Sequence, residues 1–441
     1  MPEWTEWTER TAPSLRLLTA LALAAGLLLC KSPTRAQLTA AVACDLDPAP
    51  AATLLLPYFE VDLVHADGRT TLFSIVNAAE AATVASVTLW TDLGVPTLHL
   101  NVYLTGYDVQ TVNVRDLFVG ALPRTASVGQ DPGDSISPHG VFSADVNLPE
   151  CNGLLPPPAL SPTALASLVA AHTGAFATQI GGCAGQAFGD GLARGYATID
   201  AVRTCTLRTP ADAGYFASGG TGDASDANVL WGDFMLVDPA GNTAVGEPLV
   251  RVQAFPGRFH DGDATFYGGH IGHSGVDDRE PLATTWATRF LQRGPFSGGT
   301  ELLVWRDPGR TTQPFACSGG RPTWYPLATL ATTFDEQENP DVFNSCGVTT
   351  CPPATQPTPF PAMANRVSLA EVALMPHYGV PSPIPYDFGW LYLLFDRLVA
   401  SEPVQAWTAQ LSTASNRFAV GFGATPLVSA CSPTNPPPPG W

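Results

Sequence analysis

The residues best equipped for chemistry lie between His260 and Glu280, in the segment HDGDATFYGGHIGHSGVDDRE. Imidazole and carboxylate ligands suit zinc and related ions. His260, Asp263, His270, His273 and Asp277 therefore form the candidate metal set. The competing reading is a solvated, glycine-rich loop between strands, because no helical H-E-x-x-H spacing fixes two imidazoles on one face. Calcium is the second metal to weigh. Asp223, Asp226 and Asn228 in GDASDAN, and Asp131 and Asp134 in DPGD, offer hard oxygen ligands. Neither segment follows the D-x-[DN]-x-[DN]-G loop with its distal glutamate. The expectation is therefore no cofactor, with calcium or zinc the ions the ligand types would accept.

Nucleophile signals are sparse. Ser274 sits in Gly-His-Ser-Gly-Val, without the second glycine of G-x-S-x-G. Lys31 is the only lysine, so a P-loop, a Schiff base or a lysine-activated nucleophile is excluded from the rest of the chain. Paired carboxylates for glycoside hydrolysis cannot be nominated among 39 acidic residues, since their spacing is spatial rather than sequential.

The chemistry depends on the compartment. Leu15–Leu29 is an apolar run, shorter than the roughly 20 residues a membrane span needs. With Thr34-Arg35-Ala36 behind it, residues 1–36 read as a secretory signal cleaved before Gln37. Glu3, Glu6 and Glu9 leave its n-region close to neutral, which a different translation start would explain. The expected destination is secreted, periplasmic or extracellular. Leu29 before Cys30 does not suit lipidation, which prefers a small residue there.

Cleavage leaves Cys44, Cys151, Cys183, Cys205, Cys317, Cys346, Cys351 and Cys431. Four disulfides of open connectivity follow in an oxidising compartment, and a Cys44–Cys431 bond would join the two ends. A zinc ribbon is disfavoured, because the Cys346–Cys351 pair has no matching partner pair. A formal net charge of −18 repels nucleic acid and anionic lipid head groups. The longest later apolar run, Phe388–Phe395, is the length of a strand, so no membrane insertion is expected.

The elements that must hold these residues are mostly strands. Apolar residues recur at alternate positions in Thr53–Val61, Thr70–Asn77, Thr83–Thr91, Thr97–Leu104 and Val109–Phe118, with turn residues between. Residues 44–123 read as an N-terminal sandwich. Residues 124–192 are a Gly/Pro-rich, disulfide-stapled connection with one short helix at 162–172, capped by Ser161 and opened by Pro162. Residues 193–431 form a second β-rich region. It contains Ala193–Cys205, a hairpin of Asn228–Val237 with Thr243–Phe255, Leu282–Leu291, Thr300–Arg306, Arg366–Leu374, Phe388–Phe395 and Arg417–Phe422. Whether the two regions share one sheet stack is open. The Pro-rich stretch 432–441 is expected to be disordered.

Trp90, Trp231, Trp286, Trp305 and Trp390 lie in strands among apolar neighbours and are expected in the core. Trp324-Tyr325 is the aromatic pair expected at the surface, where it would offer a stacking platform. The fold class is thus mainly β, an antiparallel sandwich with few short helices.

The segments TLFSIVN, VASVTLW and YDVQTVNVRDLF resemble the immunoglobulin-like and fibronectin-III-like sandwich modules of exported bacterial proteins. The likeness is one of strands and carries no catalytic motif. Taken whole, the chain resembles exported bacterial proteins with no assigned activity. The resemblance implies an exported, non-catalytic surface, matrix or binding protein, with cell-surface or matrix components as partners. The alternative is a secreted hydrolase, metal-dependent or not, built on the 260–280 cluster.

Overall fold

Alternating and continuous apolar runs demand different surroundings, and the computed structural model supplies both. It describes residues 49–123, 151, 153–155, 157–175, 185–260, 263–271, 276–293, 299–307, 330–344, 360, 362–369, 376–377, 380–381, 384, 386–395, 404–414 and 418–429. The expected leader, the Pro-rich tail and six of the eight cysteines (Cys44, Cys183, Cys317, Cys346, Cys351 and Cys431) lie outside these residues.

The strands of the first half are β1 (Thr53–Asp62), β2 (Thr70–Asn77), β3 (Thr83–Thr91), β4 (Pro96–Leu104), β5 (Val109–Asn113), β6 (Leu192–Val202), β7 (Leu230–Trp231), β8 (Asp233–Asp238), β9 (Thr243–Pro248) and β10 (Val250–Val252). They build two antiparallel sheets, ordered β10-β1-β6-β3-β4 and β5-β2-β8-β9, with β7 also on β2. The second half adds β11 (Ala283–Leu291), β12 (Gly299–Arg306), β13 (Leu330–Phe334), β14 (Pro340–Asn344) and β15 (Ala364–Ser368). It continues with β16 (Pro376–His377), β17 (Val380–Pro381), β18 (Phe388–Leu394), β19 (Ala406–Ala414), β20 (Phe418–Gly423) and β21 (Thr425–Ser429). Here the sheets run β14-β13-β18-β11-β21 and β15-β12-β19-β20, and β16 pairs with β17.

Two sheets are inner and two are outer. β1, β6 and β19 are buried along almost their whole length, so both faces of their sheets are covered. β1 touches β2 and β8 of one neighbouring sheet and β12 and β15 of another. β2, β8 and β18 instead alternate between buried and more exposed residues, leaving one face of each outer sheet uncovered. Trp90 stacks on Tyr196 at 5.8 Å, and Tyr196 meets Trp305 edge-on at 6.0 Å, joining β3, β6 and β12 through one core. Phe234 of β8 reaches Trp407 of β19 at 6.2 Å. Burying one tryptophan removes roughly 200 Å² from water, worth on the order of 5 kcal/mol. This aromatic chain therefore binds the two halves strongly.

The question left open by the sequence is answered by pairing. β6 lies between β1 and β3, β8 pairs with β2, and β10 pairs with β1. The strands of 53–113 and of 192–252 thus share both sheets of the first sandwich. All described residues belong to one compact unit.

The expected helix stands at Pro162–His172, where the Ser161 hydroxyl accepts the Ala164 N–H. One expected strand is shorter than the apolar pattern suggested. Asn113 caps a helix at Val114–Phe118 by accepting the Arg115 N–H, so the strand stops there. Arg115 then donates to the carbonyls of Asp62, His65, Gly68 and Arg69, holding the β1–β2 turn. Cys151 and Cys205 form a disulfide across 54 residues, stapling the Gly/Pro-rich connection to the end of β6. Among the described residues no helix is long and apolar enough to cross a membrane.

Candidate binding groove

The 260–280 segment divides between surface and interior. His260 and Asp263 are exposed and face one another at 3.6 Å across a turn. Asp277 is buried: its carboxylate accepts the Thr265 hydroxyl and the backbone N–H groups of Tyr267 and Arg279. Its neighbours follow it inward. Asp278 accepts the N–H groups of Gly219 and Gly257, and Glu280 accepts that of Gln253. His270 lies in the helical turn Gly268–Ile271, while His273 lies outside the described residues. The calcium candidates also diverge. Asp223 binds Arg208 and Thr206, Asp226 pairs with Arg279, and Asn228 bonds the backbone of Ala254. Asp131 and Asp134 are outside the described residues. Among the described residues no group of three or more His, Cys, Asp or Glu is placed to hold a metal ion.

Buried polarity here is structural. Asp200 of β6 accepts the hydroxyls of Thr53, Tyr215 and Tyr267. Arg279, almost fully buried, donates to Thr53 and pairs with Asp226 at 2.9 Å. Burial raises the pKa of Asp200 and pushes Asp277 up to about 7, in each case against the hydrogen bonds that favour the ion. Among the described residues His99 comes nearest to a serine–base pair, 3.5 Å from the Ser86 hydroxyl and 3.0 Å from the Thr206 carbonyl. Ser86 has no solvent exposure, which seals that pair from a substrate.

Among the described residues, one accessible feature is on the outer face of β5-β2-β8-β9. Leu72 is 37% exposed, Met235 43% and Trp231 36%, a cluster of large apolar side chains on one sheet face. Register explains it. Leu72 stands opposite Met235 and Val76 opposite Trp231, with Phe73, Ile75, Phe234 and Leu236 turned into the core. Between these apolar rows lies a polar one, in which the Ser74 hydroxyl donates to Asp233. Gly246 stands opposite Met235, and a β-carbon there would lie 3.0 Å from the Phe234 carbonyl oxygen. The resulting groove encloses about 670 Å³. That lies within the roughly 300–1,000 Å³ of small-ligand sites.

No family model, curated protein or solved structure matches this chain. The groove must therefore be read from its own residues.

The expectation for the tryptophans divides in the same way. Trp90, Trp286 and Trp305 are buried, whereas Trp231 and Trp390 stand on the outer sheet faces, Trp390 under the Arg289 guanidinium at 5.2 Å. A period-2 count carries the missing signal. If Phe234 and Leu236 face inward, then Trp231, Asp233 and Met235 face outward. The Trp324-Tyr325 pair lies outside the described residues.

Proposed function

We propose that this chain is an exported, non-catalytic binding protein, of the surface or matrix kind, that holds its ligand in the groove of the outer sheet. The kinship with immunoglobulin-like and fibronectin-III-like modules belongs to this reading. The observation that carries it is a contrast. The carboxylates of the 260–280 segment that lie in the interior are consumed by backbone and hydroxyl donors, while Leu72, Trp231 and Met235 spend apolar surface on solvent. Such exposure in a contiguous patch marks an interaction site. The Cys151–Cys205 disulfide supports export, because structural disulfides persist in oxidising compartments.

Metal analysis of the purified protein, with assays on ester, peptide and glycoside substrates before and after chelation, tests the reading. The expected result is no stoichiometric metal and no turnover. Stoichiometric zinc lost on His270→Ala or His273→Ala, together with turnover, would replace it with a metal-dependent hydrolase. Mass spectrometry of the native N-terminus tests export, with a start at or within a few residues of Gln37 expected.

A further inference from the structure

We infer that the groove takes an extended segment of a partner protein bearing apolar, basic and apolar side chains at alternate positions. This deepens the binding reading and depends on it. The argument starts from the file of side chains along β7 and β8. Trp231, Asp233 and Met235 succeed one another on the outer face, an indole, a carboxylate and a thioether. Outward residues of a strand are roughly 6.8 Å apart, twice the rise per residue. The i, i+2 side chains of an extended peptide repeat at the same distance. A peptide lying along this file would set one apolar group against Trp231, one cation against Asp233 and one apolar group against Met235.

Charge selects the sign. None of the residues lining the groove is Lys, Arg or His, while Asp116, Asp233 and Glu247 are among them. Glu247 lies beside Gly423 of β20, which leaves Asp233 and Asp116 as the exposed carboxylates. Only a neutral or cationic ligand escapes repulsion there, and a guanidinium or ammonium over Asp233 gains both the charge and the nearby indole face.

Geometry selects the face over the edge. β5 and β9 are the terminal strands of this sheet; β9 packs against β20, and β5 is an edge to which a peptide could add. Two of its backbone groups are already engaged, however: Asp108 accepts the Val109 N–H at 2.8 Å, and the Gln110 side-chain amide donates to the Thr111 carbonyl at 2.8 Å. These side chains blunt the edge, as native sheets commonly do. The ligand is therefore held by its side chains.

The test is calorimetric titration of the full chain with acetylated, amidated Leu-Ser-Arg-Ser-Leu, with the same peptide carrying Glu for Arg, with the rearranged Leu-Arg-Ser-Ser-Leu, and with cellohexaose. Binding of the first peptide is expected, with at least a roughly tenfold weakening on Trp231→Ala. Asp233→Asn should weaken it by about fivefold or less, as fits one surface ion pair, and added salt should weaken it likewise. Trp390→Ala, on the other outer face, should change nothing. The inference is overturned if the first peptide fails to bind, if the Glu or rearranged peptide binds equally well, or if Trp231→Ala leaves its affinity unaltered. Cellohexaose binding that is lost on Trp231→Ala would overturn the basic-peptide assignment while leaving the groove as a binding site. Far-UV circular dichroism of the two groove variants, both at exposed positions, guards against misfolding as the cause.

Discussion

Two buried titratable residues give the fold opposite responses to pH. The His172 Nδ1–H donates to the Arg194 carbonyl at 2.8 Å, and Nε2 meets the Thr97 hydroxyl at 2.7 Å, with the Phe118 ring beside it. Burial lowers its pKa to about 4, so the folded state holds it neutral while the unfolded chain protonates near 6.5. Its contribution is complete above 6.5 and is lost as pH falls toward 4. Burial raises Asp277 from 3.8 to about 7. Its contribution is complete below 3.8 and is lost as pH rises through 7. Over the shared interval the two slopes oppose one another. His172→Gln should therefore gain in melting temperature relative to the parent protein as pH falls from 6.5 to 4. Asp277→Asn should gain relative to the parent as pH rises from 4 to 7. Parallel melting curves for parent and variant across these intervals would contradict the assignment.

Among the elements, β6 is held closely by its neighbours. Gly195 pairs with Thr91 of β3, and a β-carbon there would stand 2.1 Å from the Trp90 carbonyl oxygen and 3.0 Å from both His172 Nδ1 and Phe59 Cζ. Gly195→Ala must displace backbone, and a cost of about 1–3 kcal/mol is expected from urea unfolding. How far the elements could be read beforehand follows from where they are buried. β2 and β18 alternate because one face is exposed, and the sequence shows them plainly. β19, AWTAQLSTA, is buried on both faces and mixes apolar residues with Thr, Gln and Ser. No period emerges there, and the strand is silent in the sequence. Ser412 is satisfied internally, donating to Gln410 and meeting Thr300, whereas the buried Thr408 hydroxyl has no partner among the described residues. The groove is partly legible. Parity along β8 points Trp231 outward, but the two-residue β7 and the Gly232 that follows it hide that parity from a reading by composition. The inward turn of Asp277, Asp278 and Glu280 has no sequence signal, because acceptors for buried N–H groups and acceptors for water are the same residues.

At the scale of the molecule, one core runs through both sandwiches. Trp90, Tyr196 and Trp305 link the sheets of the first and second halves, and Arg366 of β15 joins Glu60 of β1 at 2.5 Å and Glu301 of β12 at 2.6 Å. Neither sandwich can lose its packing without exposing the other. Differential scanning calorimetry should record one endotherm, and two resolved endotherms would show that the halves unfold separately. The position of β6 has a further consequence, in time. β1 and β3 are complete by residue 91, yet each is hydrogen-bonded to a strand that begins at residue 192, and β1 waits also for residue 252. A chain emerging from a ribosome or a translocation channel has no finished sheet to close until more than half its length is out. Its first strand, β1, travels unpaired. On the export proposed above, that is what a threading machine requires: a leader-proximal segment that cannot jam the channel by folding early, and that folds when the later strand arrives to part β1 from β3.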